Sequence, residues 1–202
     1  MIDWSGAVVA ILGGGPSLTR AQVELCRGKA RVIAINNAVE LAPWADVLYF
    51  CDRRWYEWHK ETVKNFKGTI VTLENRGLAV ELPGLVSMRQ DGGPDGDPEG
   101  FCEAKDGLRT GRNSGYQALH LAAHLGARRV VLLGYDMKAD GDRVHWHPEH
   151  PVATPPDAPA GFAPHFRSLV EPLARRGVEV LNATPGSALD AFPRRSLEEA
   201  LC

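Results

Sequence analysis

No apolar run in this sequence approaches the roughly 18 residues that a membrane-crossing helix needs, so neither a transmembrane segment nor a membrane partner is expected. Cysteine is sparse: Cys26, Cys51, Cys102 and Cys202 lie far apart and form no CxxC or other metal-ligand spacing. Cys26 and Cys51 sit in apolar surroundings and read as packed thiols. Charge of one sign is also lacking, since the net charge is −2, which gives no global reason to expect nucleic acid or an anionic surface as partner. A local basic patch from Arg109, Arg112, Arg128 and Arg129 stays open. The first residues, Met1-Ile2-Asp3-Trp4-Ser5, have no basic start of the signal-peptide kind, so the expected setting is cytoplasmic. There is no internal repeat and no interior linker; at 202 residues, where domains commonly run to roughly 100–200, a single domain over 1–202 is expected.

What is there is ordinary globular material, 44% hydrophobic and 24% charged, enough for a core without disulfides or a structural metal. Strand-like and helix-like runs alternate. Residues 7–12, 31–36, 46–51, 69–73, 85–88, 129–133 and 178–181 read as strands; 18–26, 53–66, 113–125 and 166–176 read as helices, the last two stopped by Gly126 and Gly177. Uninterrupted apolar strands alternating with helices predict an α/β fold of the Rossmann-like type, a mostly parallel sheet covered on both faces. Such sheets bind ligands beyond the carboxyl ends of their strands. The Gly13 loop, Asn36-Asn37, Asp52 and Asp136 all fall at those ends. Two stretches rich in Gly, Pro and Asp or in Pro and His, near 91–109 and 138–164, are long for connectors and read as loop insertions that cover substrate, or as plain surface excursions.

Gly13-Gly14-Gly15-Pro16-Ser17 follows a strand and precedes a helix, the context in which backbone N–H groups and a helix N-terminus receive phosphate. Pro16 suits a first helical turn, and Ser17 adds a hydroxyl or a cap. The dinucleotide fingerprint is absent, because Leu18 stands where its third glycine belongs and Asn36-Asn37 where its acidic ribose partner does; no Gly-Lys-Ser/Thr makes a Walker loop. The alternative is a tight turn that packs strand on helix. A second anion site is offered by Thr110-Gly111-Arg112-Asn113-Ser114-Gly115 at the start of the clearest helix, where Thr110, Asn113 and Ser114 could equally serve as caps.

The ordered series GGGPSL, AINNA, ADVLYFCD, TGRNSGYQALHLAAHLGARRVVLLGYDM and VEVLNATPGSAL, spread over most of the chain, resembles the small bacterial sialyltransferases that use CMP-sialic acid, and the related group containing the 6-hydroxymethyldihydropterin pyrophosphokinases and flagellin-glycosylation accessory proteins. The resemblance implies a metal-independent, inverting transferase. It puts Gly13, Gly14, Gly15, Pro16 and Ser17 on the donor phosphate and turns Asn36 or Asn37 and the Cys51-Asp52 strand end toward the nucleotide. Thr110, Gly111 and Ser114 would flank phosphate or sugar. Its catalytic histidine corresponds most nearly to His165, whose spacing to 182–187 is shorter than the family pattern. The family's phosphate-binding tyrosines have no clean counterpart in 138–164.

Three histidines, His145, His147 and His150, crowd the run His145-Trp146-His147-Pro148-Glu149-His150, with His165 further along the same region. They fit a general base near neutral pH, a Zn²⁺ ligand set, or a solvated loop. The HxHxEH spacing is similar to that of metallo-β-lactamase-like hydrolases, whose fold the glycine-loop architecture excludes. The His-Trp-His run after Gly-Tyr-Asp also resembles uncharacterised phage and prophage proteins, which adds no chemistry. Asp95-Gly96-Asp97 and Asp140-Gly141-Asp142 satisfy a DxD pattern, in Asp-Gly contexts that favour plain turns. The residues 53–59, mixing arginines and aromatics, read as the start of an amphipathic helix rather than a stacking platform.

The expected function is thus a nucleotide-sugar glycosyltransferase of the CMP-sugar type, with a histidine base and no required cofactor; a nucleotide or nucleotide-sugar is the partner. The acceptor, the use of Mg²⁺ or Zn²⁺, and self-association into a homo-oligomer are left open. The rivals are an ATP- and Mg²⁺-dependent pyrophosphokinase, with acids such as Asp52 and Asp136 holding the metal, and a non-catalytic nucleotide-binding accessory protein.

Overall fold

A run such as Val8–Leu12, apolar at every position, satisfies a strand buried on both faces and no half-exposed element. The computed structural model of the chain, which describes residues 2–74, 78–92, 97–148 and 150–202, builds its centre from such runs. In chain order the elements are β1 (Val8–Leu12), α1 (Arg20–Cys26), β2 (Arg31–Ile35), α2 (Ala38–Leu41), β3 (Val47–Phe50), α3 (Arg53–Trp58), α4 (Lys60–Asn65), β4 (Thr69–Leu73), α5 (Leu78–Glu81) and β5 (Val86–Gln90). There follow β6 (Gly107–Leu108), α6 (Ser114–His124), β7 (Arg129–Leu133), α7 (Ala158–Phe162), a 3₁₀ turn (Ala163–Phe166), α8 (Arg167–Arg175), β8 (Glu179–Asn182) and α9 (Leu197–Ala200).

The strands form one sheet in the order β6-β5-β4-β3-β2-β1-β7-β8, and every named pair in it is parallel. Side chains alternate across it. Val9, Ile11, Val130 and Leu132 join α6 and α8 in one apolar cluster; Ala10, Leu12, Val131 and Leu133 join α1 to α5 and α9 in the other. The α/β, Rossmann-like arrangement with helices on both faces is therefore the observed fold. The chain leaves β1 toward β2 on one side and returns on the other as β7, so a crevice opens between the loops after β1 and β7.

Three expectations are corrected. Helix α1 begins at Arg20 with Thr19 as its cap, reciprocated by Gln22, so Pro16 and Ser17 lie in a turn before the helix and not in its first turn. The helix expected over 53–66 is two helices, broken at His59, whose backbone (φ −121°, ψ 23°) leaves the helical region while its Nδ1 bonds back to the Trp55 carbonyl at 2.9 Å. The insertions are not wholly irregular: 91–109 contributes β6 and 138–164 contributes α7. Among the described residues, no helix is long and apolar enough to cross a membrane.

Helix α6 is aimed by a buried polar chain: Tyr49 Oη donates to Gln117 Oε1 at 2.7 Å, and Gln117 Nε2 donates to the Thr110 carbonyl at 2.9 Å. Removing the hydroxyl strands a buried acceptor. Tyr49→Phe should cost about 1–3 kcal/mol in urea unfolding, the range for a buried group left unpaired.

Candidate functional site

The crevice holds a cavity of about 170 Å³. Its floor is the glycine loop and the segment Gly134–Lys138; Asn36 stands on one side, Asn113–Gly115 at the head of α6 on another, and Val144, His145, Thr154, Pro159 and Phe162 of the second insertion close over it. Of the expected site residues, Gly13, Gly14, Gly15, Asn36, Asn113, Ser114, Asp136 and His145 line this one space.

Several donors of the glycine loop, expected to receive phosphate, are taken up within the protein. Gly13 N–H donates to the Leu133 carbonyl at 2.8 Å and Gly15 N–H to the Gly134 carbonyl at 2.9 Å, so two of its donors extend the β1–β7 ladder. Ser17 N–H and Ser17 Oγ go to the two carboxylate oxygens of Asp136, at 3.2 and 3.0 Å. An internal carboxylate thus takes the place an anion would take. The glycines permit that approach: a Cβ on Gly15 would lie 2.0 Å from Asp136 Oδ2, and one on Gly13 2.6 Å from the Gly134 carbonyl oxygen. Burial raises the Asp136 carboxyl above the ordinary range, opposed by the Ser17 bonds and by the Lys138 charge.

At the opposite wall Asn113 caps α6, its Oδ1 accepting from Gly115 N–H (2.7 Å) and Tyr116 N–H (3.2 Å). The Ser114 hydroxyl lies 3.2 Å from Cys51 Sγ, a thiol that burial pushes up. Lys138, exposed at the rim, adds a positive charge.

His145 is fixed from both sides. Its Nδ1 is 3.3 Å from the Gly14 carbonyl oxygen, which only accepts, so that nitrogen carries the proton; Nε2, 3.2 Å from Thr154 Oγ1, then accepts from the threonine hydroxyl. Trp146 N–H reaches the same Gly14 carbonyl at 3.2 Å, strapping the insertion to the loop.

The other expected site residues lie elsewhere. His147 and His150 are outside the cavity lining, in a ring cluster in which His147 lies 4.9 Å from His145 and 4.8 Å from His150, and His150 lies 5.5 Å from Trp58. Glu149 is outside the described residues, as are Asp95 and Gly96; among the described residues no group of three His, Cys, Asp or Glu side chains could hold a metal. His165 is held by Glu99, Nδ1 to Oε1 at 2.5 Å, away from the cavity wall. Asn37 is structural, accepting from Trp55 Nε1 at 2.6 Å. Asp52 caps α3 and pairs with Arg54, three strand positions from Asp136 and so about 14 Å away at the usual strand spacing. The two acids named for a kinase-type Mg²⁺ site are not brought together. Thr110 and Gly111 support α6 from behind: Thr110 accepts from Gln117, while Gly111 packs on the Tyr116 ring, where a Cβ would come within 2.1 Å. Asp140 pairs with Arg143 in a turn.

Sequence reasoning missed Thr154, Phe162 and Lys138. The only signal for the first two was the length of the insertion carrying them.

No protein-family model matches the chain, and no curated protein matches it. Among solved structures it is similar, at 14% identity over 98% of this chain and 89% of the other, to an oxidoreductase of the short chain dehydrogenase/reductase family from Brucella ovis in complex with a partially ordered NAD. The TM-score is 0.32, too low to carry an argument about ligand or activity, and the fold class rests on the sheet described above.

Burial lowers His147 to about 4, helped by the neighbouring His145, His150 and His59. Its folded value lies below the ordinary 6.5, so the unfolded chain binds the proton more readily. The stability tied to neutral His147 is complete above about pH 6.5 and is lost as pH falls toward about 4. Thermal melts across that window should drop in the parent protein and drop less in His147→Gln, by about 2–4 °C for each kcal/mol.

Proposed function

We propose that the cavity binds the phosphate end of a nucleotide-sugar and that the chain transfers the sugar with inversion, His145 serving as general base. The observation that carries this reading is the line from the Gly14 carbonyl through His145 to the Thr154 hydroxyl. The carbonyl fixes the tautomer, Nε2 presents its lone pair at the cavity, and a hydroxyl already rests on it. An acceptor hydroxyl in the place of Thr154 Oγ1 would give its proton to Nε2 while its oxygen bonds to the anomeric carbon. The bond from that carbon to the nucleotide phosphate breaks, and its electron pair stays on the phosphate oxygen. The head of α6 at Ser114 supports the negative charge that leaves. The phosphate is placed on the Ser114 side because the Gly13, Gly15 and Ser17 N–H groups of the glycine loop are engaged, and the nucleotide-sugar is then a substrate in a reaction that needs no further cofactor.

The reading is tested by melting the protein with CMP, UDP, GDP and ATP, each in EDTA or Mg²⁺, and then by following nucleotide release from CMP- and UDP-sugars. A pyrimidine nucleotide should raise the melting temperature in EDTA, by mass action on the folded state. Asn at position 145 keeps an N–H for the Gly14 carbonyl but has no basic nitrogen. His145→Asn should therefore keep the nucleotide-induced shift and lose about 10²–10⁴-fold in transfer rate. Stabilisation by ATP only with Mg²⁺, or transfer undiminished in His145→Asn, would overturn it.

A further inference from the structure

The hydroxyl that rests on the His145 base belongs to the chain itself. Thr154 Oγ1 lies 3.2 Å from His145 Nε2, and the opposite ring nitrogen faces the Gly14 carbonyl oxygen at 3.3 Å. A hydroxyl, a base within hydrogen-bond reach and a third group that orients the base are the parts of an activated nucleophile. Thr154 and His145 both line the cavity of about 170 Å³ beside the head of α6, so the pair stands complete before any outside acceptor arrives. The chain around Thr154 suits that use. In the run Val152-Ala153-Thr154-Pro155-Pro156 the other four residues are exposed, and Thr154 is the one that turns inward. Pro155 biases the residue before it toward extended backbone, and the run belongs to no helix or strand. A single side chain is thereby delivered to the cavity from an otherwise solvated loop.

We propose that Thr154 is a self-glycosylation site, which takes one sugar from a nucleotide-activated donor when no other acceptor fills the cavity. The proposal rests on the donor and the base assigned above. Oγ1 bonds to the anomeric carbon while its proton passes to His145 Nε2. The bond from that carbon to the phosphate oxygen breaks, and its electron pair leaves with the nucleotide. The products are free nucleotide and an O-linked Thr154, and His145 returns the proton to solvent. The reaction stops after one turnover, because the hydroxyl is consumed and the attached sugar holds the space an external acceptor needs. Water is the competing acceptor, and Thr154 stands where a water on Nε2 would stand, which favours self-transfer over hydrolysis.

The test incubates the protein in EDTA, without acceptor, with CMP-N-acetylneuraminic acid, UDP-glucose or UDP-N-acetylglucosamine, and follows intact mass and released nucleotide together. One donor should add a single sugar residue per chain, placed on Thr154 by peptide mapping, with one equivalent of nucleotide released. Thr154→Ser, which keeps a hydroxyl, should still be modified; Thr154→Val, which keeps the shape of the side chain, should not. His145→Asn should slow the mass gain by about 10²–10⁴-fold. Nucleotide release with no mass gain, whether the sugar goes to water or to added lactose, would overturn this proposal alone. A mass gain that persists in Thr154→Val would do the same. Neither release nor mass gain with any donor would overturn both this proposal and the transferase reading.

Discussion

At the centre of the sheet, β1 and β7 continue past their last ladder bonds as two backbones in contact. Gly13 and Gly15 donate across to Leu133 and Gly134, and no side chain could stand between them. Everything in the crevice hangs on that approach. It brings the Asp136 carboxylate against Ser17, sets the Gly14 carbonyl outward as an acceptor, and leaves the head of α6 facing both. Gly13 and Gly15 are required here for close packing between two loops. The same triplet thus satisfies two physical demands that look alike in sequence, and only the partner of Ser17 tells them apart.

The second insertion is held down at one atom. His145 and Trp146 both address the Gly14 carbonyl, and beyond them the rings of His147 and His150 lead to Trp58 on α3. The break at His59 belongs to this arrangement: it ends α3 where His59 stacks on Trp55 at 4.5 Å and receives the Asn37 amide at 3.1 Å. Within this cover burial holds the His147 imidazole neutral at ordinary pH. The histidine density that suggested ligands in the sequence is therefore largely a packing device, with His145 the member that reaches the cavity.

Much of the fold was legible because its signals are local. Runs such as 129–133 have no polar residue to expose, and Gly126 and Gly177 stop their helices as their positive φ allows. The position of the cavity was legible too, since Asn36 and Asp136 end strands on either side of β1. Direction was not. A polar residue at a strand end can face the crevice, as Asp136 does, or turn back to cap the next helix, as Asp52 does through Arg54 N–H at 2.8 Å. Nothing in the spacing separates the two. Gly107–Leu108, a two-residue strand in a segment rich in Gly and Asp, lies below the length at which periodicity can be read. Thr154 and Phe162 reach the cavity only through the path of the insertion, a tertiary fact that no local pattern encodes.

The placement of strain separates the crevice from the rest of the molecule. Asn36, Arg112 and Met137 are the non-glycine residues with positive φ among those described. Two of them line the cavity, and the third precedes the Asn113 cap at its wall. Elsewhere left-handed positions fall to glycine, at no steric cost. Asparagine tolerates this region better than other side chains, whereas at Arg112 and Met137 the backbone carries a local penalty. Asn36 places there an amide whose oxygen no described residue answers. A buried acceptor and the left-handed backbone beneath it each carry a local cost, and the two fall on one residue at the end of β2, beside the glycine loop.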